Sequence, residues 1–111
     1  TFRYSQEQTA IEGWLETVKE AASRHYQLAV EIAELANLRK GYSDTHKRGL
    51  HNFQQIMDEI AIPCSTAEKD PAWGAEAVGK LRMAALADPE GDALDKAMAS
   101  LSAAPAAAAA E

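Results

Sequence analysis

The sequence predicts an all-α fold: a long antiparallel helical hairpin with two further short helices, a small helical bundle. Apolar residues recur at spacings of three and four through most of the chain, and helix-start and helix-stop residues separate those runs. No run alternates with the period of two that marks a strand.

The first run spans about residues 6 to 40. Ser5 and Gln8 have the spacing of a capping box. Ile11, Leu15, Val18, Ala22, His25, Ala29, Ile32 and Ala36 form one row, and Trp14, Ala21, Leu28, Leu35 and Tyr42 a second beside it. Unbroken, this helix is about 50 Å long at about 1.5 Å per residue, so it needs a partner along its length. Gly41 suits the residue after a helix end, and Ser43, Asp44 and Thr45 are three successive candidate caps. A second helix, about 45 to 61, carries Leu50, Phe53, Met57 and Ile60 on one face and stops at Pro63. So short a turn makes the two helices antiparallel. Trp14, Leu28, Ile32, Leu35, Phe53, Met57 and Ile60 are the predicted core, and the flank with Tyr26, Val30 and Ala33 makes the first helix apolar nearly all round.

Residues 63 to 70 read as a loop. Asp70-Pro71 then starts a third helix, Asp as cap and Pro in the first turn, with a stripe of Trp73, Gly74, Ala77, Val78, Leu81, Ala84 and Ala85. A turn at 87 to 92 leads to a short fourth helix with Leu94, Ala97, Met98 and Leu101. The expected divisions are 1–62 (hairpin), 63–104 (helical pair) and 105–111 (Ala-rich tail).

Composition narrows the function. Seventeen acids against eleven bases give a net charge of −6, which argues against nucleic-acid binding through phosphate neutralisation. The single cysteine, Cys64, forms no intrachain disulfide, and the chain reads as cytoplasmic, without a transmembrane or signal segment. A first residue other than Met, Thr1, favours a piece of a longer protein.

The stretch RKGYSDTHKRG, residues 39 to 49, does not match this acidic background. Arg39 and Lys40 complement the negative end of the first helix. Lys47 and Arg48, with His46, stand in the first turn of the second helix, where acids are preferred. Together with Tyr42 these six residues are the candidate site for an anion or an acidic partner. Replacing Lys47 and Arg48 by glutamate is expected to stabilise the free domain. No catalytic or metal-binding set is expected. His46 and His51 have a poor spacing for a shared metal, and Cys64 has no histidine near it in sequence.

The stretch WLETVKEAASRHYQLAVEIAELANLRKGYSDTHKRGLHNFQQIM resembles the C-terminal helical region of the beta subunit of indolepyruvate oxidoreductases, over about residues 11 to 60. Arg39, Gly41, Tyr42, Asp44, Thr45, His46, Arg48 and Gly49 are the motif positions. The resemblance implies a parent enzyme that oxidatively decarboxylates aryl-pyruvates to aryl-acyl-CoA with thiamine diphosphate, iron–sulfur clusters and coenzyme A. It implies a non-catalytic accessory or assembly domain here, without cofactor. The implied partners are the rest of its parent chain, a catalytic alpha subunit and a possible second copy, but no nucleic acid or membrane. The alternative is a stand-alone binding protein or small enzyme that takes an anionic small molecule at the basic turn.

Overall fold

The computed structural model describes the backbone of residues 2–39 and 43–103 and the side chains of 9–39 and 47–101. Every regular element among them is helical. They are α1 (Phe2–Ala22), α2 (Tyr26–Glu34) with a 3-10 segment (Leu35–Arg39), α3 (Ser43–Ile56) with a π-helical turn (Met57–Ala61), α4 (Ile62–Ser65), α5 (Pro71–Ala87) and α6 (Asp92–Ala103). The fold is all-α, as the periodicity predicts. No helix among the described residues is long and apolar enough to cross a membrane.

The first helix is not continuous. α1 begins upstream of Ser5, which is therefore no cap, and it ends at Ala22. His25 then turns extended (φ −156°, ψ 109°), and its Nδ1 accepts the Leu28 N–H, the N-cap bond of α2. His25, set on the helical stripe by the periodicity, stands at a helix break instead. The break lets α2 fold back on α1. The Trp14 indole Nε1–H donates to Ile32 O at 2.9 Å, across a turn midway between the two residues, so α1 and α2 are antiparallel. The hairpin thus lies inside the segment predicted as one helix.

The reason is burial. With α1 on one side and α5 on the other, Leu28, Ile32 and Leu35 become fully buried. Each such side chain contributes about 1.5–3 kcal/mol. Of the flank predicted to be apolar all round, Val30 and Ala33 are half-buried and Tyr26 is 78% exposed. Trp14 is half-buried at the core's edge, and the rest of the predicted core is buried.

Pro63 does not stop its helix. α3 runs through the π turn, where the Ile62 N–H donates to Met57 O, and on into α4 with Pro63 in its first turn. The predicted 63–70 loop is therefore only 66–70. Proline cannot bond the carbonyl four residues earlier, that of Glu59, and its ring crowds it. Lys69 Nζ lies 3.4 Å from that oxygen and satisfies it. The chain leaves α4 through Ala67 at φ 66°, with Glu68 N–H donating to Pro63 O and Ala67 N–H to Cys64 O. Those two bonds are a Schellman closure with alanine at the position usually held by glycine.

Asp70 caps α5 by accepting the Trp73 N–H at 3.2 Å, with Pro71 in the first turn, as the dipeptide predicts. Gly74, Ala77, Val78, Leu81 and Ala85 of the predicted stripe are buried. α6 is capped by the Asp88 carboxylate, which accepts from Ala93 N–H.

Candidate docking site at the basic turn

Lys40, Gly41 and Tyr42 lie outside the described residues, as do the side chains of Asp44, Thr45 and His46. What can be placed is Arg39 at the end of the 3-10 segment and Lys47, Arg48 and Gly49 on α3.

α3 starts at Ser43, two residues before the predicted start. Lys47 and Arg48 therefore stand at the entry to the second turn. The repulsion from the helix dipole, which fades within the first turn, is weaker there than the sequence implied.

The basic side chains face different neighbours. The Arg39 guanidinium lies 5.0 Å from the centre of the buried Phe53 ring, a cation–π contact. Arg48 Nη1 donates to Glu90 Oε2 at 2.7 Å, and both side chains stay about half exposed. One turn on, Asn52 Nδ2 donates to Pro89 O at 3.3 Å. Arg48 and Asn52 thus fasten the 88–91 turn to α3, and Gly91, at φ 98°, completes that turn. Lys47 is exposed. On α3, among the described side chains, what faces solvent is one lysine and the outer side of a guanidinium already held by a carboxylate. Arg48→Glu would set a new carboxylate against Glu90, so the stabilisation expected from the double glutamate variant is withdrawn for Arg48 and remains only for Lys47.

Cys64 is fully buried, and burial pushes its thiol from 9.0 up to about 11, with nearby Lys69 opposing and Asp70 adding to the rise. A thiol so placed stays protonated at neutral pH and is no nucleophile. Among the described residues no three His, Cys, Asp or Glu side chains gather to hold a metal ion.

The model of a family of unknown function, DUF6537, matches residues 1–59. The chain belongs to this family. No curated protein and no solved structure matches it. The DUF6537 match takes in α1, α2, α3 and the whole basic turn, whereas Glu90 and the turn that meets Arg48 lie outside it.

A second polar feature escaped the sequence. Arg82 donates to Glu31 at 3.2 Å, both side chains largely buried, and Gln27 donates to the other Glu31 oxygen. They line an open groove of about 550 Å³ between α2 and α5. A Cβ on Gly79 would stand 3.2 Å from Glu31 Oε1, so glycine leaves the carboxylate its place. Partners 51 positions apart have no shared periodicity from which to infer the pair.

Proposed function

We propose that the chain is a non-catalytic helical accessory or assembly domain, a piece of the beta subunit of a cytoplasmic indolepyruvate (aryl-pyruvate) oxidoreductase. In this reading it docks on the catalytic alpha subunit and the rest of its parent chain, and the thiamine diphosphate, iron–sulfur and coenzyme A chemistry belongs to that larger assembly. The observation that carries the docking role is the exposed Lys47 beside the half-exposed Arg48 on α3, cations on the surface of a chain of net charge −6. Such a patch steers an acidic surface and loses strength as salt screens it.

The test is co-purification with the alpha subunit of an indolepyruvate oxidoreductase. Lys47→Glu should leave the melting temperature unchanged or slightly higher while weakening assembly, most at low salt. Assembly equal to wild type at low salt would make the turn an ordinary surface, and failure of the wild-type chain to assemble would remove the oxidoreductase reading.

A further inference from the structure

α5 buries one side and shows the other. Gly74, Ala77, Val78, Leu81 and Ala85 pack inward, in a helix held against α2, α3 and α6. Outward it presents Ala72, Glu76, Lys80, Met83, Leu86 and Ala87, all exposed, with half-buried Gly79 in their midst. The two large apolar side chains of this face, Met83 (61% exposed) and Leu86 (45%), stand in its second half. Its first half is small, with Ala72 on the surface and Ala75 in the wall of the groove between α2 and α5.

The charges of this face are one acid and one base. Glu76 and Lys80 stand one turn apart and about 40° apart around the helix, so they share a flank. Neither is paired with another described residue. The four charged side chains that line the groove, Glu31, Glu76, Lys80 and Arg82, cancel in sum.

We propose that this face of α5 is the contact of a homodimer, two copies packing antiparallel about a twofold axis near Gly79. The axis sets Met83 of each copy opposite Ala75 of the other, and Leu86 opposite Ala72, so large meets small four times over. It also brings Glu76 of each copy within about 3 Å, along the helix, of Lys80 of the other. Both patterns select a second copy as the occupant. A partner of uniform charge would gain from one of the two residues and lose to the other. A single helix pair is a small interface, below about 1,200 Å² in total, so the dimer is weak and reversible. The contact is separate from the basic turn and does not depend on the function proposed for it.

The test is sedimentation equilibrium of the 111-residue chain over a concentration series. The wild type should pass from monomer to dimer and go no further, because a twofold contact closes on itself. Met83→Asn should weaken the dimer at least about tenfold. That side chain is mostly exposed, so the variant should keep its helical circular dichroism. Glu76→Lys and Lys80→Glu should each weaken the dimer several-fold at low salt and little at high salt. Mixing those two variants should restore association, since every lysine then meets a glutamate of the other chain. A monomer at every concentration would overturn the proposal. So would a dimer that survives Met83→Asn, which would place the contact on another face. A mixture that associates no more tightly than its two components would remove the twofold register and overturn it equally.

Discussion

Two junctions of this molecule reverse what their residues lead one to expect. At Ser23–His25 the chain leaves a helix although no glycine or proline is present, whereas at Ile62–Pro63 it stays helical through a proline. The difference lies in what each conformation buries. Breaking at His25 places Leu28, Ile32 and Leu35 between α1 and α5, and three local bonds steady the exit: His25 N–H to Ala21 O, Ser23 Oγ–H to Glu20 O and Leu28 N–H to His25 Nδ1. Continuing past Pro63 carries Cys64 and Ser65 into the core, and the lost backbone bond is offset by the π turn and Lys69. Helix ends here follow tertiary burial, and the local bonds accommodate the result.

If that is so, the Pro63 junction should respond most to changes in the core. Cys64 offers the largest effect. Its thiol is neutral when protonated, and the fold raises its pKa from 9.0 to about 11. The native state thus favours the neutral form more than the unfolded chain does. The stabilisation is complete below about pH 9 and is lost as pH rises through about 11, by up to about 3 kcal/mol. Denaturant melts of wild type and Cys64→Ala over that range should diverge by this amount, and parallel curves would show that burial of the thiol does not govern the junction.

Gly74→Ala should come next. A Cβ there would stand 2.5 Å from Cys64 Sγ and 2.6 Å from its Cβ, and the buried cysteine has little room to move. Overpacking of this kind costs about 1–3 kcal/mol. In a Cys64→Gly background, which lacks both contacting atoms, Gly74→Ala should cost little, since the two residues share one contact. Equal costs in the two backgrounds would mean that α4 and α5 are not held by this contact.

His25→Ala removes the cap of α2 and should cost about 1 kcal/mol, with His25→Asp recovering it, because a carboxylate also accepts the Leu28 N–H and suits a helix N-terminus. A thermal melt showing no loss in the alanine variant would assign the break wholly to packing. Ala67→Gly should stabilise by about 0.5–1 kcal/mol. Its φ of 66° strains an L-residue by about 1–2 kcal/mol, and glycine's extra chain entropy offsets part of the gain.

These positions mark what the sequence could disclose. Asp70-Pro71 and the stripes of α5 and α6 were legible because their residues suit their places locally. His25 and Ala67 were not, since each stands where Asn, Asp, Ser or Gly is usual. Pro63 misled because its stop rule holds only if the following residues gain nothing by staying helical. At the basic turn, charge and spacing were visible, but the acceptor of Arg48, Glu90, lies 42 residues away on a turn whose position depends on α5.

Pro63→Ala gives the smallest effect and the sharpest test of cause. Alanine restores an N–H that can donate to Glu59 O, a gain of about 0.5–1.5 kcal/mol. It also frees the unfolded chain, a loss of about 0.4–1 kcal/mol, so the net change should stay within about 0.5–1 kcal/mol of zero. The two causes separate in the backbone. If the proline makes the π turn, its removal should let Met57–Ala61 relax to an α-helix. The segment after it would then rotate by about 100°, one residue's worth of helical turn. Cys64 would leave Gly74, with the new alanine side chain at position 63 facing inward in its place. If burial sets the register, the π turn should persist, with the Ile62 N–H still on Met57 O and the Cys64 thiol still slow to react with an exposed-thiol reagent. We expect persistence, because Cys64 is 0% exposed and fits against Gly74, where even an added Cβ would clash with it. A fast-reacting thiol in Pro63→Ala, with the i−5 bond gone, would hand the register to the proline and remove the physical basis of the contrast with His25.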